Sequence, residues 1–169
     1  MSTTLRTSSI PLLQACTAPD RMPRGVDQPA TESRDMPLVR IDVQKGRTLE
    51  ELRKLADTVQ DVMLDVFGAP PGDRYQIITE HDKGQIIAED TGLGFERTDG
   101  IVIIQIFQQG RSTEQKVATY AELAKRLEVE CGVRSEDLII SVVANRHVDW
   151  SFGLGQAQFL DGTLSSSVR

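Results

Sequence analysis

Met36 and Pro37 stand together at a change in the composition of the chain, and Pro37 is a residue whose reactivity depends on what precedes it. An internal proline nitrogen is a tertiary amide, its lone pair delocalised into the carbonyl, so it is neither basic nor nucleophilic. Exposed by loss of a preceding methionine, the same nitrogen is an amine. Burial and neighbouring charge then move its pKa from a reference near ~8 and make it a base or a cationic acid. By position alone Pro37 is also an ordinary proline at the first residue of a strand. The other reactive residue types are sparse. His81 and His147 have no third ligand at metal spacing and read as residues of solvated loops. Cys16 and Cys131 fit neither a disulfide framework nor a zinc site. Gly92-Leu93-Gly94 and Gly153-Leu154-Gly155 lack the strand-turn-helix context and third glycine of a dinucleotide site, and read as turns. No metal and no cofactor are expected.

The elements that must position any such chemistry begin at the same boundary. Residues 1–36 hold four of the seven prolines and nine Ser or Thr without apolar periodicity, so they read as a disordered extension or as an artefact of the assigned start. Residues 37–169 read as one domain. Val39, Ile41 and Val43 alternate as a strand, and Leu49, Leu52, Leu55, Ala56, Val59, Val62, Met63 and Val66 follow at helical spacing. Thr48 with Glu51 forms a capping box at the helix start, Gly68 suits the left-handed turn after its end, and Pro70 and Pro71 forbid continuation. A strand over 75–79 completes a βαβ unit.

That unit recurs. Gly46-Arg47-Thr48 returns as Gly110-Arg111-Ser112, Gly68 as Gly132 and Asp73 as Asp137, always 64 residues later. The same shift pairs the first strand with 101–107, the capping box with Ser112 and Gln115, and the second strand with 139–143. The fold class expected is α/β in the α+β sense: two tandem βαβ units forming one four-stranded mixed sheet, both helices on one face, the halves related by a pseudo-twofold axis. The other face needs cover, which implies self-association. The segment from Trp150 to Phe159 reads as an extended arm able to seal such an interface.

The 39% hydrophobic content supports one compact domain. A net charge of -6 argues against a nucleic-acid surface, leaving small molecules or copies of the same chain as partners. No apolar run approaches the ~20 residues of a membrane span, and 10–13 is interrupted by Pro11. Arg6, Arg21, Arg24 and Arg34 are balanced by Asp20, Asp27, Glu32 and Asp35, unlike a transit peptide, so the cytoplasm is the expected location.

Met36-Pro37-Leu38-Val39-Arg40-Ile41 followed by Gly46-Arg47-Thr48 resembles the start of tautomerase-superfamily proteins. The resemblance runs nearly to the C-terminus. It is closest to the malonate semialdehyde decarboxylase family through Asp73-Arg74-Tyr75-Gln76, Glu89-Asp90-Thr91-Gly92-Leu93-Gly94, Arg111-Ser112, Glu114-Gln115-Lys116 and Asp149-Trp150-Ser151-Phe152-Gly153. It implies the tautomerase-like fold, a homotrimer, removal of the initiator methionine, and catalysis by the amine of Pro37. It also implies that Trp150, Phe152, Phe159 and Leu164 form an apolar wall. Setting the first and third strands side by side and antiparallel brings Pro37 next to residues 109–111. There Arg111 can hold a substrate carboxylate bidentately, and Asp73 can orient a water or tune the amine. On its position after a Pro-Pro-Gly turn, Asp73 is equally a cap for backbone N–H groups.

One position departs from the family pattern. The decarboxylase has two arginines flanking a single residue, whereas this chain has Gln109-Gly110-Arg111. A neutral amide stabilises developing charge at a carbonyl less than a guanidinium does. The reading is therefore a cofactor-independent tautomerase of small 2-keto acids, with Gln109 donating to the carbonyl or enol oxygen. The alternatives are a malonate semialdehyde decarboxylase-like lyase, and a non-catalytic trimeric scaffold if Pro37 stays internal.

Overall fold

The computed structural model describes residues 36–164. The extension expected before Met36, and Cys16 within it, lie outside the described residues. Six elements follow in order: β1 (Leu38–Gln44), α1 (Leu49–Asp65), β2 (Tyr75–His81), β3 (Val102–Gln108), α2 (Thr113–Cys131) and β4 (Leu138–Ala144). Short 3-10 turns at Ser135–Asp137 and His147–Asp149 flank β4.

Local chemistry starts both helices in the same way. Thr48 accepts from the Glu51 N–H while Glu51 reaches back to the Thr48 N–H, and Ser112 with Gln115 repeats the exchange. Gly132 closes α2 in the left-handed conformation at φ 67°. The strands are built from alternating residues, and β1 and β3 bury every second side chain completely.

The sheet runs β2-β1-β3-β4. β1 is parallel to β2 and antiparallel to β3, and β3 is parallel to β4, so the sheet is mixed as expected. Val39, Ile41 and Val43 of β1 and Val102, Ile104 and Ile106 of β3 pack against Leu55, Val59, Val62, Leu123 and Leu127 of the two helices. Complete burial of each such side chain stabilises by about 1.5–3 kcal/mol, so truncating Leu123 in the middle of this layer costs about 2–5 kcal/mol.

The opposite face carries Leu38, Ile77, Ile103, Phe107, Ile139 and Val143 with no helix across it; Ile77 is 46% exposed. Polar groups sit among them, for His81 Nε2 lies 2.8 Å from Asp42 Oδ1 and Arg40 lies 3.8 Å from the same atom.

Three expectations are corrected. Leu49 does not face the core: it begins α1, where no turn precedes it, and is 81% exposed. His81 is not in a solvated loop, since it ends β2 against Asp42, whereas His147 does stand exposed in the turn after β4, where it stacks on the Phe159 ring at 4.5 Å. The C-terminal segment is not an extended arm, because it folds through turns and lays its rings on its own subunit. Among the described residues, no helix is long and apolar enough to cross a membrane, and no cluster of three or more His, Cys, Asp or Glu could hold a metal ion.

Candidate active site

Leu38 is opposite both Tyr75 and Phe107, so the start of the central strand β1 lies between the start of β2 and the end of β3. Pro37, one residue earlier and buried, is therefore flanked by the chain entering β2, which carries Asp73, and the chain leaving β3, which carries Gln109 and Arg111. The parallel pairing of β3 with β4 brings the end of β4 to the same edge, where the Asn145 N–H donates to Gln108 O at 2.8 Å. Four chain segments thus converge on one end of the sheet.

Asp73 is buried there, and its Oδ2 has no hydrogen-bond partner. It does not cap the Pro-Pro-Gly turn with its carboxyl: the backbone does that work, the Asp73 N–H donating to Pro70 O at 3.1 Å and Asp73 O accepting from Gln60 Nε2 at 3.1 Å. Burial pushes the carboxyl up to about 6, the nearby Arg111 charge opposing the shift.

Gln109 is 4% exposed, and both its Nε2 and its Oε1 lack a partner. Native proteins rarely leave buried polar groups in that state. Its neighbour Gln108 points the other way along the alternation and accepts from the Arg111 N–H at 3.1 Å.

Arg111 is held on several sides. Nε donates to Phe67 O at 2.7 Å, Nη2 to Gly68 O at 3.0 Å and Nη1 to Gln109 O at 3.1 Å, and its guanidinium carbon stands 5.1 Å from the centre of the Phe67 ring. Gly68 is at φ 73°, a conformation that places these two carbonyls after α1 and suits glycine. Arg111 therefore fastens the end of α1 to the end of β3 while carrying a buried positive charge beside Asp73.

The C-terminal rings gather at the same edge. Trp150 and Phe152 stack at 5.4 Å, Phe159 meets Phe152 edge-on at 5.5 Å, and Phe152 packs against Tyr75, the β2 residue opposite Leu38, at 5.9 Å. Trp150 is oriented by donation from Nε1 to Asn145 Oδ1 at 3.0 Å. Leu164 is half-buried, its N–H bonded to Gln158 O.

Two residues that the sequence reading passed over belong to this construction. Tyr75 extends the aromatic wall onto the sheet, and its place in a motif at the head of β2 was the available signal. Gln158 is 9% exposed and knots the segment together, accepting from the Phe152 N–H at 3.0 Å and donating to Gly153 O at 2.8 Å; nothing in its sequence context marks it.

Fold and sequence agree on a family. Residues 37–96 and residues 73–153 each match a family described as tautomerase enzymes. The chain is 50% identical over 129 residues to the probable tautomerase YrdN of Bacillus subtilis, covering 76% of this chain and all of that protein. A malonate semialdehyde decarboxylase, solved as wild type, as a proline-to-alanine variant at its first position and inactivated, superimposes with a TM-score of 0.70 at 41% identity, over 75% of this chain and 98% of that one. The symmetric trimer of a fused 4-OT shares the fold at a TM-score of 0.61 and 18% identity, over 74% of this chain and 98% of its own. This protein belongs to the tautomerase superfamily, and is an enzyme of it with relatives of the malonate semialdehyde decarboxylase type.

Proposed function

We propose that the protein is a cofactor-independent tautomerase of small 2-keto acids that works through the amine of Pro37, on a domain that begins at Pro37. The observation that supports the reading is that the strands paired with the start of β1 lead into Asp73 on one side and Gln109 on the other, with Asp73 Oδ2 and both ends of the Gln109 amide buried and without a hydrogen-bond partner. The match to the tautomerase family also begins at residue 37.

Ketonisation of an enol acid needs one proton delivered to carbon and one removed from oxygen, the double bond moving from C=C to C=O with nothing lost. As the ammonium, Pro37 gives its proton to C3. The enol oxygen, hydrogen-bonded to Gln109, gives up its own proton, which returns through Asp73 or water to the amine. Arg111 supplies the positive charge toward which the carboxylate is drawn. Trp150, Phe152 and Phe159, with Leu164, exclude bulk water and strengthen each of these interactions.

The chain acts as a homotrimer assembled through the uncovered sheet face, as the apolar residues on it, among them Leu38, Ile77 and Phe107, support and as the fused 4-OT is found. It works in the cytoplasm. A second reading, decarboxylation of malonate semialdehyde or a related β-keto acid, is favoured by the 41% identity to such an enzyme and weakened by Gln109. The discriminating experiment uses protein whose first residue is shown by mass to be Pro37. Ketonisation of phenylpyruvate enol is followed by ultraviolet absorbance, against release of carbon dioxide and acetaldehyde from malonate semialdehyde. Decarboxylation far more efficient than ketonisation reverses the ranking.

A further inference from the structure

We propose that Gln109 makes this site selective for monocarboxylates whose second oxygen group is uncharged, so that dicarboxylates are poor substrates; the inference rests on the tautomerase reading of the same site. Gln109 is buried, and both ends of its amide are unpartnered: Nε2, which donates, and Oε1, which accepts. A ligand that completes both must itself offer an acceptor and a donor at neighbouring points.

A carboxylate cannot do this. Its oxygens accept from Nε2 but bring negative charge against Oε1, which gains no donor. An enol does, because its oxygen accepts from Nε2 while its O–H donates to Oε1, and the keto form keeps the first of these bonds. The side chain thus matches both tautomers of an uncharged group.

The charges at this edge agree. Among the described residues Arg111 is the buried guanidinium, and its charge lies beside the Asp73 carboxyl. Arg40 lies on the open face of β1 beside Asp42, Arg74 is paired with Asp57 at 2.6 Å, and Arg146 with Asp149 at 3.5 Å. One buried cation provides for one carboxylate. A second one, arriving at residue 109, would be desolvated without a countercharge.

The test measures kcat/KM for phenylpyruvate enol and for a dienol diacid, using protein that begins at Pro37 and the variants Gln109→Arg and Gln109→Glu, with folding of each confirmed by circular dichroism and thermal unfolding. The wild type is expected to prefer the monocarboxylate by at least tenfold. Gln109→Arg is expected to shift that ratio toward the diacid by at least tenfold, and Gln109→Glu to lose at least tenfold on both. A folded Gln109→Arg variant with an unchanged ratio, or a wild type that turns over the diacid as well as the monocarboxylate, overturns the selectivity while leaving the tautomerase reading intact. A wild type inactive on both enols overturns the two together.

Discussion

Burial pushes the Asp73 carboxyl up to about 6, and the Arg111 guanidinium beside it pulls against that shift without reversing it. A folded-state value above the ordinary 3.8 means that the native protein holds this proton more tightly than the unfolded chain does. The contribution favours the folded state at low pH and is lost as pH rises from about 4 through about 6, after which it stays constant. Asp73→Asn removes the titration. The variant is expected to be more stable at pH 7.5 by on the order of 1–2 kcal/mol, with the difference fading below pH 4, as read from urea titrations at several pH values. If ionised Asp73 returns the proton to the amine, wild-type kcat/KM rises through about pH 6 and the Asp73→Asn profile loses that step.

Arg111 combines a structural clasp with the charge of the site, and two substitutions separate these roles. Arg111→Ala strands the carbonyls of Phe67, Gly68 and Gln109, which costs about 2–4 kcal/mol of stability. Arg111→Lys keeps the charge but cannot reach three carbonyls with one planar fork. The lysine variant is expected to recover part of the substrate affinity and less of the stability. A KM for phenylpyruvate enol unchanged in both folded variants places the carboxylate elsewhere.

Gln158 organises the aromatic segment through two side-chain hydrogen bonds. Gln158→Ala is expected to lower stability by about 1–2 kcal/mol and to raise KM severalfold, because the Phe152 ring loses its anchored backbone. Tryptophan fluorescence supplies a direct readout, since Trp150 stacks on Phe152. An unchanged spectrum and unchanged KM would show that the segment is held by other contacts.

The parts of this structure that were legible in the sequence are those governed by neighbours along the chain. Thr48 with Glu51, and Ser112 with Gln115, announce helix starts because a capping box needs only four consecutive residues. The alternation of Val39, Ile41 and Val43 announces a half-buried strand. The 64-residue offset supplied the long-range step, since two equivalent βαβ units pair most simply through their first strands, as Leu38 with Phe107 does. What escaped depends on partners distant in sequence and without period. His81 meets Asp42 only once β2 lies beside β1. Phe152 finds Tyr75 only after the chain crosses from β4 to β2. The empty hydrogen-bonding positions of Gln109 are visible only when everything around it is in place.

Assembly is checked on the face opposite the helices. Sedimentation of protein beginning at Pro37 is expected to give a trimer at micromolar concentration, and Ile103→Glu, which puts a charge between Asp42 and Ile139 on the uncovered face, is expected to give a monomer. Ile103 alternates away from the core residues Val102 and Ile104, so the domain itself should still fold. A stable wild-type monomer rules out the assembly.

The last prediction concerns the nitrogen of Pro37. Within a longer polypeptide it is an amide without basicity, and the same atom at a terminus is an amine able to exchange a proton near neutral pH. A form whose first residue is Pro37 should therefore tautomerise phenylpyruvate enol, whereas a form that keeps residues 1–36 should be inactive. The proline following Met36 is small enough for an aminopeptidase to remove that methionine, so translation from Met36 yields the amine without a special protease. Pro37→Ala, made in the short form, leaves a primary amine in place of a secondary one and is expected to reduce kcat by about 10- to 100-fold rather than abolish it. Both termini are verified by intact mass before assay, because cleavage of the longer form during purification would mimic activity. If the longer form, shown to be whole at the end of the assay, is as fast as the short one, the amine takes no part and Pro37 serves only to begin the strand.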